Sequence, residues 1–443
     1  MKKQKITALL LAAALALSLG DVPVLATEGG AETELPDSQS AAQETTESVQ
    51  PELVQDPEGA LSFANLDRRV REGCLDYLIL EENILLIEAN DYERMEDQLR
   101  DALNGIAEQQ WALYSVPSNF PDTGNTGQNY VNQTLASLST STTTQSLQQM
   151  YNTYRDQFDA LRDGDLQKDA ADGIRQLKNV QNTIVMLAQG VYVQLAELDA
   201  TSETLDRSLA ALDRQIQELE LRHELGQISA LTLQQSKTGR ASLISSQRTL
   251  ASSAQTGLMN LEAMIGAPLT GGLQLTALPT VTAEELADMD LEADLAAAKE
   301  ASYDLYAAKK TLDDAEEAYK DAASDYHYDE SRYEFVQAKH TWQAAQYTYQ
   351  GAIQNFELSF RSLYAQVQDY QQVLEAAKAS LAAERDNYAV DQLKYEQGTI
   401  SKNTLLTAED DLNAARDTVA TAERNLFSAY NNYRWAVDCG ILN

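Results

Sequence analysis

Few residues in this chain could do chemistry, and they are scattered. Three histidines (His223, His327, His340) and two cysteines (Cys74, Cys439) are spread over 443 residues. None stands at the spacing of a metal-ligand set or of a nucleophile with its base. The densest cluster is Asp325-Tyr326-His327-Tyr328-Asp329. Its two carboxylates and an imidazole could hold a divalent ion weakly, although an isolated cluster of this kind is more commonly a solvated turn. Cys74 and Cys439 could pair in an oxidising compartment, but two thiols fix no connectivity against staying free. The chain therefore carries no catalytic constellation and calls for no cofactor and no metal; the expectation is a protein that is not an enzyme.

The informative pattern is structural. Glu224-Leu225-Gly226-Gln227-Ile228-Ser229 and Glu396-Gln397-Gly398-Thr399-Ile400-Ser401 are near copies whose glycines are 172 residues apart. Each interrupts a long helical pattern. Gly supplies the positive φ that ends one helix, and a Ser three residues on can cap the next. Each segment therefore predicts the tip of a helical hairpin.

The elements that carry these tips can be read from proline placement and periodicity. The eight prolines are Pro23, Pro36, Pro51, Pro57, Pro117, Pro121, Pro268 and Pro279, so residues 122–267 and 280–443 are proline-free. Tracts of that length rich in Ala, Leu, Gln and Glu favour long helices. Ile184, Val191, Leu195, Leu198, Leu205, Leu209, Leu212, Ile216 and Leu219 step by threes, fours and sevens before the first tip. Phe356, Phe360, Leu363, Val367, Tyr370, Leu374, Ala377 and Leu381 do so before the second. Both are coiled-coil seams, and the 172-residue offset superposes one on the other. His223 aligns with Tyr395 in this register, which favours packing over metal ligation. After each tip a return helix closes near a glycine, at Gly266 before Pro268 and at Gly440.

A fainter echo opens each copy: Val70-Arg71-Glu72-Gly73-Cys74-Leu75-Asp76 against Ala298-Lys299-Glu300-Ala301-Ser302-Tyr303-Asp304. The second follows Thr282-Ala283-Glu284-Glu285, a capping-box signature. Copy one is the longer, and its excess falls at or near the Ser, Thr, Pro and Gly-rich stretch 115–146, which reads as an apex loop with room for a little strand.

The N-terminus has the charged start and short apolar run, Ile6 to Leu19, of a secretory signal peptide with a small-residue site at Val24-Leu25-Ala26. No later segment is continuously apolar, so no transmembrane helix is expected. The net charge of −35 repels phosphate backbones and argues against nucleic-acid binding. The predicted organisation is a signal peptide at 1–26, an acidic disordered linker at 27–60, helical repeat 1 at 61–268 with its loop at 115–146, an inter-repeat linker at 269–281, and helical repeat 2 at 282–443.

Two tandem copies of long helices with a Gly-x-Ile-Ser tip, a return helix ending near Gly, and a signal peptide resemble the TolC-type outer-membrane efflux proteins. The resemblance covers about residues 61–443. It implies an all-α, elongated bundle of very long coiled-coil helices that forms part of a homotrimeric α-barrel. It further implies a conduit without catalytic residues, whose tips dock on a periplasmic-type adaptor (a membrane fusion protein) fed by an inner-membrane or ABC pump. Carried onto this chain, the adaptor-facing residues are Gly226, Gln227, Ile228, Ser229, Gly398, Thr399, Ile400 and Ser401. Acidic rings near the family's tunnel entrance have candidate counterparts in Glu218, Glu220, Glu224, Asp386, Asp391 and Glu396; a solvated outward face explains these equally well. The chain departs from the family in carrying Thr232 and Thr404 where an acidic residue often completes the cap. It departs again at the helical apices, where the second, around Ala322 to Arg332, is too short for two membrane-spanning strands of about 9 to 11 residues each. The expectation is a TolC-like bundle without a membrane β-barrel, exported to the cell envelope or surface. The alternative is an extracellular coiled-coil scaffold or regulator of cell-wall enzymes.

Overall fold

The computed structural model describes residues 56–57, 59–114 and 126–442; the signal-peptide region and most of the 27–60 linker lie outside them. The described chain divides into two compact units, residues 87–173 and residues 54–86 with 174–443.

The second unit holds both tips. Helix α1 (Phe63–Gly73) leads into α2 (Leu75–Glu88), α5 (Asp165–Glu224) descends to the first tip, and α6 (Ala230–Met264) returns. The second copy runs through α7 (Ala283–Ala287), α8 (Leu291–Ala301), α9 (Tyr303–Asp325), α10 (Tyr333–Glu396) and α11 (Lys402–Cys439). At 1.5 Å per residue, the 60 residues of α5 and the 64 of α10 make rods of about 90 Å or more. The order is that expected from the sequence: helix, apex, long helix, tip, return helix.

The 172-residue register is visible in the packing. Gly257 of α6 backs onto Leu195 of α5, and the equivalent Ala429 and Val367 are both buried in copy two. The faint opening echo is likewise a shared device. Cys74 and Ser302 are the equivalent points at which α1 gives way to α2 and α8 to α9, each with extended backbone at a helix break. Phe356, Phe360, Leu363, Val367, Leu374, Ala377 and Leu381 are buried in one cluster or along its extension, as the heptad pattern predicts.

Copy one follows its predicted seam less completely. Leu195 and Ile216 are buried, whereas Leu205, Leu209, Leu212 and Leu219 are only half-buried. Opposite Leu205, α6 offers Ser242, Ser245, Ser246, Thr249 and Ser253, and these small side chains leave a 410 Å³ groove against Leu205 and Leu250.

Two further expectations need correction. Residues 126–146 do not form a loop: they belong to α4 (Thr126–Arg162), which with α3 (Tyr92–Tyr114) makes up the first unit. The hydroxyls that made the stretch look loop-like are absorbed by the helix itself. Thr134 donates to the Tyr130 carbonyl and Thr144 to that of Thr140, each at 2.8 Å, so the side chains need not compete for a turn. Residues 115–125 of the expected loop lie outside the described residues. The linker also ends earlier than residue 60. Asp56 accepts a 3.0 Å hydrogen bond from the Ser62 N–H, and Ala60–Leu61 (β1) pairs in parallel with Gln274–Leu275 (β2), inside the expected inter-repeat linker. The buried Tyr192 anchors this pair, its hydroxyl 2.7 Å from the Thr276 carbonyl and 3.0 Å from that of Leu61.

The second apex is a turn at 326–332, where His327 and Tyr328 both adopt positive φ. Asp329 closes it, accepting from the Ser331 N–H at 2.9 Å and its hydroxyl at 2.7 Å. Beneath the turn, Tyr319 stacks on Trp342 with centroids 4.8 Å apart. The two-residue strands β1 and β2 are the only ones among the described residues.

Candidate functional site: the paired hairpin tips

Both tips are built from the same local code. At the first, Gly226 takes φ +68°, its N–H donates to the His223 carbonyl at 2.9 Å, and the Gln227 N–H reaches back to Arg222 at 2.8 Å. At the second, Gly398 takes φ +73°, its N–H donates to Tyr395 at 2.8 Å, and the Thr399 N–H donates to Lys394 at 2.9 Å. This is the Schellman arrangement, which satisfies the last carbonyls of α5 and α10.

Ser229 then caps α6, accepting from the Thr232 N–H at 3.2 Å, and Ser401 caps α11, accepting from the Thr404 N–H at 3.1 Å. Thr232 and Thr404 do not leave the caps bare. Their hydroxyls meet those of the cap serines at 3.0 and 2.9 Å, so an uncharged hydroxyl pair stands where a carboxylate would complete a capping box.

The eight tip residues are presented outward: Ile228 and Ile400 are half-buried and the other six exposed. Leu225 and Leu231 flank the first tip at 64% and 67% exposure, an apolar surface that no other described residue covers. The two tips also lie side by side. Asn403, at the start of α11, donates to Glu218, near the end of α5, at 3.0 Å.

That contact is one of a column. Arg207 of α5 pairs with Asp417 of α11 at 2.5 Å, Arg214 pairs with Asp410, and Gln189 accepts from Asn431 at 2.9 Å and from the Trp435 indole at 2.7 Å. The descending helix of copy one thus lies against the return helix of copy two. Within copy one, Arg240 of α6 grips Asp213 of α5 at 2.5 Å and holds its carboxyl below the usual carboxylate range. Within copy two, Phe360 of α10 meets Tyr433 of α11 with centroids 5.4 Å apart. The four long helices therefore stand in the order α6, α5, α11, α10.

The α5–α11 column was not anticipated from the sequence. A signal was available: Arg207 and Arg214 are seven residues apart, as are Asp410 and Asp417, the spacing of one heptad face. Of the acidic residues considered near the entrance, Glu218 pairs with Arg222, Glu220 with Lys237 at 2.7 Å and Asp391 with Lys394 at 2.7 Å. Asp325–Asp329 spans the apex turn and the last residue of α9. No group of three or more residues able to hold a metal ion occurs among the described residues. No helix among them is long and apolar enough to cross a membrane. Cys74 is buried and Cys439 half-buried, and both are free thiols.

One carboxylate outside the tips is locked into the frame. Glu262, near the end of α6, is buried and accepts from the N–H groups of Gly271, Gly272 and Leu273 at 2.7, 3.0 and 3.2 Å and from the Thr270 hydroxyl at 3.1 Å. Burial pushes its carboxyl up, but these donors together outweigh burial and hold it below the ordinary glutamate range.

With its duplicated long hairpins, side-by-side tips and helical frame, the fold resembles the helical tunnel of TolC-type outer-membrane efflux channels. Among solved structures, the outer-membrane channel OprN matches at a TM-score of 0.51 and 13% identity, over 85% of this chain and 90% of OprN. The outer-membrane protein VceC of Vibrio cholerae matches at a TM-score of 0.48 and 14% identity, over 85% of this chain and 96% of VceC. No family model and no curated protein matches the chain. The likeness is to channel proteins, not to enzymes, and at this identity it concerns the fold.

Proposed function

We propose that the chain is the building block of an efflux or secretion conduit in the cell envelope. Three copies stand side by side around a helical tunnel, and the paired tips dock on a coiled-coil adaptor loaded by an inner-membrane or ABC pump. The observation that carries this reading is the duplicated, side-by-side pair of outward, identically capped tips on a fold shared with OprN. A conduit needs no catalytic residue: substrate passes through a water-filled lumen and the pump supplies the free energy. The tips would work as rigid shapes, because each is fixed by its own glycine, serine and backbone hydrogen bonds and so costs little further ordering on contact.

The test is to replace Gly226 and Gly398 together by Val. A β-branched residue at positive φ costs about 1–2 kcal/mol per site, which disturbs the tips while leaving the rods intact. Co-purification with a coiled-coil adaptor protein should be lost with helicity nearly unchanged; unchanged co-purification removes the tips as the docking site. Negative-stain images should show a threefold helical tube, whereas a monomeric or dimeric rod would instead favour an extracellular coiled-coil scaffold.

A further inference from the structure

The turn between α9 and α10 keeps its shape against local preference. His327 and Tyr328 stand at φ +50° and +60°, a region that glycine and asparagine enter readily and a bulky ring does not. Strained positions of this kind persist only where the surroundings over-determine them, and they gather at ligand clamps. Here the support is a set of rings. Tyr328 meets the buried Phe335 edge-on with centroids 5.9 Å apart, Phe335 lies 5.8 Å from Tyr319, and Tyr319 stacks on Trp342. The Trp342 indole N–H is buried and finds no hydrogen-bond partner among the described residues, so Trp342 serves the turn as a ring and not as a donor.

What this support presents outward is also aromatic. Tyr328 is 67% exposed and Tyr333, the first residue of α10, 73%. Between residues 303 and 347, every large hydrophobic side chain that is exposed is a tyrosine. A surface made to enter lipid would show Leu or Phe as well. Nor does the turn call for a charged partner: Asp329 is taken by Ser331 and lies 3.8 Å from Arg332, and Glu330 pairs with Lys339 at 2.6 Å. The net charge of −35 repels anionic polymers.

The corresponding hairpin of copy one, α3 with α4, has the same chemistry in a different sequence. Between Glu108 and Arg155 the one charged residue is Asp122, Ser, Thr, Asn and Gln predominate, and Trp111 and Tyr130 are exposed. Exposed rings among hydroxyls and amides suit a ligand that is uncharged, rich in hydroxyls and flat on one face.

We propose that the α9–α10 turn binds a neutral polysaccharide, with pyranose rings laid on Tyr328 and Tyr333. The C–H groups on a sugar face are slightly positive and meet the negative face of a tyrosine ring, while the sugar hydroxyls stay at the rim in water. The binding goes beyond the conduit reading and does not depend on it. Because α10 runs from this turn to the second tip, it fastens the end of the rod remote from the tips.

The experiment uses the full chain with two probes, a soluble hexamer of N-acetylglucosamine and peptidoglycan glycan strands stripped of their stem peptides. The protein should be retained on the strands in high salt as well as low, and the hexamer should compete. Tyr328→Asn with Tyr333→Ala should weaken retention at least tenfold; Asn tolerates the positive φ, so circular dichroism and the thermal transition should hold. Tyr328→Phe should retain binding. Equal retention of the Asn/Ala variant, or no retention of the parent chain on either probe, overturns the proposal. So does parent binding to phosphatidylglycerol or phosphatidylcholine vesicles with none to the glycans, which would make the turn a lipid contact. Adaptor co-purification through the tips should be the same in all these variants, so the conduit reading stands or falls separately.

Discussion

Gly266, at the end of the first return helix, lies directly on Gly73, at the end of α1: a Cβ on Gly266 would come within 2.4 Å of the Gly73 carbonyl oxygen. A Cβ on Gly73 would fall 2.1 Å from the Ile265 carbonyl oxygen. Copy two repeats the arrangement with Gly440, where a Cβ would be 2.3 Å from the Ser302 backbone. Both return helices thus end by pressing a positive-φ glycine against a break in an earlier helix of their own copy.

Gly73→Ala and Gly266→Ala should each destabilise the second unit, because the obstructing atoms are backbone and cannot rotate away. Overpacking of this kind costs about 1–3 kcal/mol, and Gly266 adds the strain of a side chain at φ +65°. Thermal unfolding followed by circular dichroism checks this; Gly105→Ala, in α3 with open space around it, is the control that should not lower the transition.

Removing the cap hydroxyls tests the tips locally. Ser229→Ala and Ser401→Ala should each cost about 0.5–2 kcal/mol, and amide hydrogen exchange should quicken in the first turns of α6 and α11, at Thr232 and Thr404 above all. Unchanged protection at those two amides would show that the caps do not hold the tips.

Acid should loosen the frame through Glu262. Its folded carboxyl is held below the ordinary value of 4.5, so the stability it contributes is fully present above that value and is lost as pH falls through the lower folded value. Glu262→Gln should remove this contribution at neutral pH, at a cost of about 1–3 kcal/mol for the donors left poorly matched. Its transition should also depend less on acid than that of the parent chain. An equal loss between neutral and acid pH in both proteins would exclude Glu262 as a source of the acid dependence.

The ion pairs joining the repeats should matter more for alignment than for stability. The Arg207 and Asp417 side chains are 38% and 33% exposed, and those of Arg214 and Asp410 36% and 39%. A double-mutant cycle with Arg207→Ala and Asp417→Ala should therefore give a coupling of only about 0.2–1 kcal/mol, falling further in high salt. A coupling well above that range, insensitive to salt, would mark the column as a main source of cohesion.

The sequence by itself determined the features that depend on neighbours along the chain. Gly226 with Ser229 and Gly398 with Ser401 are complete local codes, since a left-handed glycine and a cap serine need only the adjacent backbone. The Phe356-to-Leu381 stripe encodes its own buried face, and a duplicated stripe with duplicated tips encodes two equivalent hairpins. Only the tertiary structure decided which hairpin helix stands beside which. That choice rests on pairs such as Arg214 with Asp410, 196 positions apart, whose attraction exists only once two rods are aligned. It also decided that 126–146 is helical, because hydroxyl-rich composition fits loop and helix alike until the side chains have backbone carbonyls one turn back to bond. Periodicity foretold a uniform seam in copy one, and the serines of α6 left a groove there instead, because a seam needs volume from both partners and a stripe on one helix describes only its own half.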